Sequence, residues 1–294
     1  MGKSIMLKLT GGLGNQLFKV LAGIKISNAA RVGLSVDTSW YQIFNDTSGK
    51  VQSRNLELPY FPELSKLNYV TLRYPHLDLR KNQLMKRLPI WARNSCGYFT
   101  DSNVDLIIDS SKIRILDGNF ERNDLLPTDS DLQSLLRFPK LKSNWFKINE
   151  KNVNADTIAV HIRMGDYQNL SNIYGFLTPD YYLKALSILR KTSEIKHIVL
   201  FSDDPNAALN WMCGKIQFDL VINSMHSVGS GDILQLMSKS GKLIIAHSTF
   251  SWWAAKLGVL NGTCKEVVMP SRFLKDETHV NFRLKEKDWH VVDV

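Results

Sequence analysis

The sequence predicts an α/β fold in two halves, and the second half is predicted to be a doubly wound parallel sheet. From residue 156 onward, short apolar strands alternate with helical stretches, which is typical of a parallel sheet covered by helices on both faces. At the N-terminus a strand, a glycine turn, a helix and a second strand follow one another. The length of 294 residues accommodates one large domain or two modest ones.

The N-terminal half opens with a βαβ-like unit. Residues 4–9 (SIMLKL) are predicted as a strand, TGGLGNQ as a turn, residues 17–31 as a helix and residues 33–37 as a strand. The stretch from about 40 to 145 is weakly periodic and holds six prolines and many aromatic residues. We therefore expect helical and irregular structure there.

The C-terminal half carries the regular pattern. Its predicted strands are TIAVHI, HIVLFS, DLVIN, KLIIAH and EVVMP, and its predicted helices cover about 179–191, 205–213, 230–240 and 249–258. Adjacent tryptophans in the last helix, Trp252 and Trp253, are interpreted as packing residues.

Composition excludes several classes of protein. The 44% hydrophobic and 22% charged residues are ordinary for a globular chain, and no stretch reaches the roughly 20 apolar residues of a membrane span. Three widely spaced cysteines, Cys96, Cys213 and Cys264, suggest neither a disulfide framework nor a zinc site and fit a reducing cytosol. The charges behind the net +9 are scattered apart from short dense patches such as residues 79–87 (LRKNQLMKR), and no nucleic-acid motif accompanies them.

Polar side chains follow four successive strands of the predicted C-terminal sheet. They are His161, Arg163 and Asp166 after the first strand, Ser202, Asp203 and Asp204 after the second, Asn223 and Ser224 after the third, and His247, Ser248 and Thr249 after the fourth. Ligands bind at the carboxyl ends of parallel strands, so one arginine, several hydroxyls and a helix N-terminus predict an anion pocket at this edge.

Each of these residues also has a structural interpretation. Asp204 and Ser248 are good helix N-caps, and His161 alternates with apolar neighbours as a core histidine does. Asp166 is close enough in sequence to orient the Arg163 guanidinium, either for a bidentate grip on a phosphate or as a simple surface ion pair.

The N-terminal glycine turn imitates a dinucleotide-binding fingerprint. Gly12 and Gly14 follow a strand and precede a helix, and Asp37 ends the next strand, but Leu17 stands where the third glycine would be. A nicotinamide-dependent oxidoreductase therefore stays open as an alternative. Asn15 and Gln16 are interpreted as side chains aimed at a ligand.

Four motifs in order, TGGLGNQLF, HIRMGDY, FSDD and HSTFSWWAA, resemble those of bacterial galactoside α-1,2-fucosyltransferases. The resemblance spans nearly the whole chain. It implies a GT-B-like fold of two Rossmann-like halves facing a cleft, with residues 1–150 on the acceptor side and residues 151–294 binding the donor, GDP-β-L-fucose. It also implies inverting transfer of fucose to the 2-hydroxyl of a galactose-containing acceptor, in the synthesis of a bacterial surface glycan such as O-antigen.

The resemblance also implies roles for individual residues. Arg163 would grip the β-phosphate and Asn15 would approach the donor from the facing half. The expected donor-site residues are Gly12, Asn15, Arg163, Ser202, Asp203, Asp204, Ser248, Thr249 and Phe250. The expected catalytic residues are Arg163, His161 and Asp166. The general base is left undecided among His161, Asp166 and the carboxylates of the N-terminal half.

The chain departs from the family pattern at two positions. Met164 stands where a second arginine is usual, and His247 stands where asparagine is frequent. The adjacent carboxylates of FSDD imitate a metal-binding motif, but the family resembled is metal-independent, so no metal cofactor is expected.

The expected setting is the cytoplasm, with attraction of the basic chain to the anionic inner face of a membrane that carries lipid-linked acceptors. No nucleic-acid partner is expected. A non-catalytic sugar-binding protein is a second alternative, which the aromatic residues of the middle region favour. Aromatic residues of that region, such as Trp40, Tyr41 and Trp91, are better placed to stack on an acceptor than Trp252 and Trp253, and the choice among them is left open.

Overall fold

A computed structural model describes residues 4–44, 54–106, 112–164, 177–192, 197–223, 228–273 and 284–294. The chain divides into two compact units, Met1–Arg137 and Phe138–Val294. One unit contains a five-stranded sheet and the other a six-stranded sheet. Within these residues all strand pairs are parallel, so the predicted α/β fold with parallel sheets is confirmed.

The N-terminal unit is built on the predicted strand, helix, strand opening. Its strands are β1 (Ser4–Lys8), β2 (Gly33–Asp37), β3 (Asn68–Val70), β4 (Tyr98–Phe99) and β5 (Ile115–Leu116), in the order β3-β2-β1-β5-β4. Its α-helices are α1 (Leu13–Ala30), α2 (Ser39–Phe44), α3 (Pro75–Arg87), α4 (Ile90–Ser95) and α5 (Asp129–Leu135). Short 3₁₀ turns occupy Leu58–Tyr60, Leu64–Lys66, Val104–Leu106 and Asn123–Leu125.

Two sequence expectations for this unit need correction. Helix α1 begins at Leu13 instead of at residue 17, because Gly11 turns the chain with a φ of 85° and Gly12 already occupies the N-cap position. The stretch from 40 to 145 is helical and irregular as expected, but it also supplies β3, β4 and β5, which are two or three residues long and too short to show a period.

The C-terminal unit follows the predicted alternation. Its strands are β6 (Thr157–Ile162), β7 (His197–Ser202), β8 (Leu220–Asn223), β9 (Lys242–Ile244), β10 (Glu266–Pro270) and β11 (His290–Val292), in the order β11-β10-β9-β6-β7-β8. Its α-helices are α6 (Asn144–Asn149), α7 (Pro179–Arg190), α8 (Pro205–Met212), α9 (Ser230–Met237) and α10 (Thr249–Leu260), with a 3₁₀ turn at Glu150–Asn152. Strand β11 and helix α6 were not among the elements predicted for this half.

Helices cover both faces of the C-terminal sheet. Every residue of β6 is buried. Ile158, Val160 and Ile162 point to one face and pack in a hydrophobic cluster with α7 and α8. His161 points to the opposite face, where its ring lies 6.1 Å from the ring of Phe250 in α10.

Trp252 and Trp253 are fully buried in α10 and stack edge to face, 5.0 Å apart. The packing role predicted for this pair is therefore confirmed.

The boundary between the units lies at residues 137 and 138, earlier than the boundary after residue 150 that the sequence suggested. Helix α6 belongs to the C-terminal unit because it packs against α9. Phe146 of α6 is fully buried, with the ammonium groups of Lys142 and Lys239 at 5.3 and 5.7 Å from its ring. Both lysines also pair with Glu150, at 2.6 and 3.1 Å.

We expect Phe146→Ala to loosen the C-terminal unit specifically. Truncating a buried phenylalanine costs about 3–5 kcal/mol of unfolding free energy. Amide hydrogen exchange should rise in α9 and in the strands of the C-terminal sheet and stay unchanged in β1 and α1. Faster exchange in the N-terminal unit alone would place α6 in that unit instead.

Candidate functional site

The polar strand ends of the C-terminal unit come together at one edge of the sheet. Strands β9, β6, β7 and β8 are neighbours in that order and run parallel. The order of strand addition reverses at β6, because β7 and β8 are added on one side of β6 and β9, β10 and β11 on the other. Ligands of open α/β sheets bind at such a switch point. Here it lies between Arg163, after β6, and Ser248, after β9.

Asp203 holds the start of the loop after β6. Its Oδ2 lies 3.0 Å from a terminal nitrogen of Arg163, and its Oδ1 accepts a hydrogen bond from the backbone N–H of Met164 at 2.8 Å. The two charged side chains are 17% and 11% exposed, so water screens the pair only partly. The carboxylate therefore fixes both the guanidinium and the backbone beside it.

The sequence suggested Asp166 as a partner of Arg163. Asp166 lies outside the described residues, as does Ser224. The pairing with Asp203 follows from strand register: Ile162 is opposite Ser202, so the next residues along both chains are Arg163 and Asp203.

Two further polar residues at the end of β7, Ser202 and Asp204, form hydrogen bonds with the backbone. The carboxylate of Asp204 accepts a hydrogen bond from the N–H of Ala207 at 3.0 Å and caps α8. The hydroxyl of Ser202 is fully buried and accepts a hydrogen bond from the N–H of Asp204 at 3.1 Å. The capping interpretation of Asp204 is confirmed.

Helix α10 presents its N-terminus at the same edge. Ser248 occupies the N-cap position without a side-chain capping bond, in contrast to Asp204. Ser248, Thr249 and Phe250 are all partly exposed. The first N–H groups of a helix have no partner within the helix and carry about half a positive charge, so this end attracts an anion.

His161 is buried behind this helix end. It is 5% exposed, and its Nδ1 has no hydrogen-bond partner among the described residues. Burial is the largest cause that lowers the pKa of His161 to about 4, and nearby Arg163 lowers it further while Asp203 opposes the shift. The imidazole is therefore neutral at pH 7 and a weaker base than an ordinary histidine.

Asn15 and Gln16, which follow the N-terminal glycine turn, differ in their surroundings. Gln16 is fully buried: its Nε2 donates to the carbonyl oxygens of Gly11 and Asn55, and its Oε1 accepts from the N–H of Glu57. Its expected role of facing a ligand is therefore wrong, because the side chain ties the turn to a neighbouring loop. Asn15 is partly exposed in the first turn of α1.

The turn does not offer the groups of a dinucleotide site. Asp37, at the position that would bind a ribose, forms an ion pair with Lys8 at 2.7 Å and accepts a hydrogen bond from the N–H of Ser39 at 2.9 Å. Gly12 approaches Arg54, since a Cβ built on it would lie 3.7 Å from that guanidinium. Leu17 is fully buried.

A cavity of about 580 Å³ lies within the N-terminal unit, and the sequence did not reveal it. It sits at the carboxyl ends of four strands and is lined on one side by α3. The residues that line it at these strand ends are Lys8, Leu9 and Thr10 at the end of β1, Asp37, Ser39 and Trp40 at the end of β2, Thr100, Asp101 and Ser102 at the end of β4, and Asp117, Gly118 and Asn119 at the end of β5. Asp78, Asn82, Gln83 and Lys86 of α3, Lys19 of α1, Ile43 of α2 and Arg93 of α4 complete the wall.

The wall of this cavity is polar and electrically balanced. Four cations, Lys8, Lys19, Lys86 and Arg93, face four carboxylates, Asp37, Asp78, Asp101 and Asp117. Ion pairs link Lys8 to two of the carboxylates and Lys86 to a third. A neutral molecule rich in hydroxyl groups matches such a wall better than a phosphate does.

The pKa values of two lysines of the wall are shifted in opposite directions. Burial opposes charge on Lys8, but hydrogen bonds to Asp37 and Asp78 outweigh it and raise the pKa of the ammonium above its usual value. Burial lowers the pKa of Lys19 to about 8, against the attraction of Asp117 and Asp101. Lys19 donates a hydrogen bond to the hydroxyl of Thr10 at 2.6 Å.

The described residues contain no helix with the length and hydropathy needed to cross a membrane.

The chain is similar to known proteins in sequence and in fold. The sequence pattern of glycosyl transferase family 11 matches residues 138–292. The chain is 28% identical to the O-antigen biosynthesis glycosyltransferase WbnK of Escherichia coli, over 90% of this chain and 93% of that one. It is 24% identical to an alpha-1,2-colitosyltransferase of Escherichia coli, over 86% and 87% of the two chains. Among solved structures it is similar to the fucosyltransferase NodZ from Bradyrhizobium, with 13% identity, a TM-score of 0.49 and coverage of 86% and 92%.

The low pKa of His161 predicts a defined loss of stability in acid. The unfolded chain binds the proton near pH 6.5 and the folded chain only near pH 4, so the contribution is fully present above 6.5 and is lost as the pH falls toward 4. Between pH 7 and 4.5 this should cost the wild type about 2 kcal/mol more than it costs His161→Asn. Urea unfolding of both proteins at the two pH values measures the difference. Equal losses would mean that His161 titrates as an exposed histidine does.

Proposed function

Because the chain belongs to glycosyl transferase family 11, we propose that it transfers L-fucose from GDP-β-L-fucose to the 2-hydroxyl of a galactose-containing acceptor, with inversion. The matched residues 138–292 make up more than half of the 294 residues, and they include the entire candidate anion site. Family membership favours glycosyl transfer over the oxidoreductase and the non-catalytic sugar-binding protein.

The arrangement of Arg163 beside the N-terminus of α10 carries the proposal. The two lie at the ends of neighbouring parallel strands, and Asp203 holds the guanidinium in place. A guanidinium has five N–H donors, so one side chain can bind Asp203 and a phosphate at the same time. We assign the GDP diphosphate to this edge, with the hydroxyls of Ser248 and Thr249 beside it.

These groups suit the chemistry of the leaving group. In the proposed reaction the bond between the fucose anomeric carbon and the β-phosphate oxygen breaks, and the acceptor oxygen bonds to the opposite face of that carbon. The acceptor proton passes to a base, and negative charge accumulates on the departing GDP. Fixed donors aimed at that developing charge lower the barrier.

The proposed reaction uses no metal ion. Arg163 and the helix N-terminus supply the positive charge that a divalent cation would otherwise provide to a diphosphate. The two carboxylates of FSDD already have partners: Asp203 holds Arg163 and the Met164 N–H, and Asp204 caps α8.

His161 does not suit the role of general base. His161 is buried and its pKa lies at about 4, far below the working pH, so it is poorly matched to proton abstraction. We give it a positioning role under Phe250 instead. Asp166 and the carboxylates of the N-terminal half stay the candidate bases derived from the sequence.

We assign the acceptor to the cavity of the N-terminal unit. Its balanced charges suit a neutral saccharide, and Trp40 adds a partly exposed aromatic wall on which a sugar ring can stack. Of the other aromatic residues expected to stack, Tyr41 is buried and donates its hydroxyl hydrogen to the carbonyl of Gly11, and Trp91 is not among the lining residues. The name of the WbnK relative supports a bacterial surface glycan as the acceptor class.

The donor sugar needs a direct test, because one relative is named for colitose, a deoxy analogue of fucose. Purified protein is incubated with GDP-fucose or GDP-colitose and a panel of galactosides, with EDTA or with added magnesium. The proposal expects a 2-linked fucosyl product at equal rates in both media. A product formed only from GDP-colitose, a linkage other than to the 2-hydroxyl, or activity lost in EDTA and restored by magnesium would each refute the corresponding part.

We expect Arg163→Lys to reduce fucosyl transfer by about a hundred- to a thousand-fold, because lysine keeps the charge and loses the planar fork of donors. Met164 leaves no adjacent arginine to substitute. Arg190→Lys, an exposed position at the end of α7, is the matched control and should transfer at the normal rate. If Arg163→Lys unfolds at a lower temperature but transfers normally, Arg163 serves only as the ion-pair partner of Asp203.

We expect Trp40→Ala to raise the KM for the acceptor about tenfold, with kcat and the KM for GDP-fucose nearly unchanged, because stacking on the acceptor is binding that does not change during the reaction. Trp145→Ala, at a partly exposed tryptophan of α6, is the control and should leave all three constants unchanged. A lower kcat with an unchanged acceptor KM would remove Trp40 from the acceptor site.

A further inference from the structure

Large exposed apolar side chains concentrate in one segment of the N-terminal unit. Of the twelve in the described residues, six lie between residues 74 and 91. They are Tyr74, Leu77, Leu84, Leu88, Ile90 and Trp91, and their exposure ranges from 40% for Leu88 and Ile90 to 73% for Trp91. Single exposed apolar residues are ordinary, but a cluster marks an interaction surface. We call these six residues the outer face of α3 and α4.

Helix α3 is oriented opposite to an ordinary surface helix. Its polar residues Asp78, Asn82 and Lys86 point inward and line the cavity. Leu77 and Leu84, seven positions apart and therefore on the same side of the helix, point outward and are 62% and 63% exposed. The hydrophobic effect alone would turn the helix over, so the polar cavity fixes its orientation and leaves the leucines uncovered.

The outer face is bordered by positive charge. Residues 73–93 contain six lysines and arginines and one carboxylate, a net +5 out of the +9 of the whole chain. The carboxylate, Asp78, pairs inward with Lys8, whereas Arg73, Arg80, Lys81 and Arg87 are all exposed. On the helix, Arg80 and Arg87 flank the two leucines on one side and Lys81 flanks them on the other.

We propose that the outer face of α3 and α4 docks on the surface of an anionic lipid bilayer. Leucine side chains enter the boundary between head groups and acyl chains, and tryptophan and tyrosine prefer the same depth. Arginine and lysine keep their charges among the lipid phosphates while their stems cover apolar surface. Apolar insertion alone or electrostatic attraction alone gives weak membrane binding, and here the two act together.

Charge decides between lipid and a second copy of the chain as the occupant. Two copies meeting through this face would bring together the exposed cations of both, with no exposed carboxylate in residues 73–93 of either to compensate. An anionic bilayer supplies the opposite charge over the whole face. This inference does not depend on the identity of the sugar donor or acceptor.

The test uses the full-length protein and vesicle co-sedimentation. Vesicles of phosphatidylcholine alone are compared with vesicles that also contain phosphatidylglycerol. We expect binding to the anionic vesicles only, weakening as salt shortens the Debye length from about 10 Å at 0.1 M to about 3 Å at 1 M. Equal binding to both kinds of vesicle, or no binding to either at low salt, would overturn the proposal.

Two sets of variants locate the binding on the molecule. Arg80→Gln/Lys81→Gln/Arg87→Gln should lower the partition coefficient about a hundred-fold, from the contribution of three cations near an anionic surface. Lys184→Gln/Arg190→Gln/Lys191→Gln removes the same charge from exposed positions of the C-terminal unit and should have little effect. Equal losses in the two triple variants would mean that net charge, and not this face, governs binding.

The apolar contribution is tested separately. Leu84→Ser/Trp91→Ser should lower binding at least tenfold, because both side chains leave water in the docked state. Leu141→Ser/Ile148→Ser replaces side chains that are 85% and 64% exposed in the C-terminal unit and should bind as the wild type does. All four positions are exposed, so the variants should unfold at the wild-type temperature. A dimer of the wild type that dissociates in Leu84→Ser/Trp91→Ser, without vesicle binding, would assign the face to self-association and reject the lipid proposal.

Discussion

Parallel pairing of β6 with both β7 and β9 is the constraint on which the candidate donor site depends. Parallel strands need helical crossovers, and the crossovers return each strand to the same edge. The carboxyl ends of three neighbouring strands therefore meet, and with them Arg163, Asp203 and the N-terminus of α10. An antiparallel partner at any of these positions would have carried its polar end to the opposite edge of the sheet.

The same constraint explains why one carboxylate does two tasks. Asp203 stands one residue beyond the last residue of β7, and Arg163 stands one residue beyond the last residue of β6. The ion pair thus joins the two residues that come next in the strand register. The same carboxylate also accepts a hydrogen bond from the Met164 N–H. The partner of this arginine is set by the sheet, and charges held by a rigid element are how preorganised electrostatic sites are built.

The sequence predicted those elements whose local apolar pattern is also the pattern of residues that the tertiary structure buries. Strands β6 and β10 were predicted with their observed bounds, because buried parallel strands are continuous apolar runs. The contact of Arg163 with Asp203 was not predicted, because closeness in sequence pointed to Asp166, whereas this contact depends on strand register. The N-terminal cavity was not foreseen, since β4 and β5 are two residues long and its wall draws on positions from Lys8 to Asn119.

Consecutive residues of helix α3 face different surroundings. Leu77 is exposed while Asp78 lines the cavity, and Lys81 is exposed while Asn82 is 7% exposed. Substitutions at one position of such a pair therefore alter the interior of the unit, and substitutions at the next alter only its exterior. The two surfaces can consequently diverge independently among related chains, although thirteen residues encode both. A variable position in this helix beside an invariant one is the pattern that this geometry would leave in an alignment.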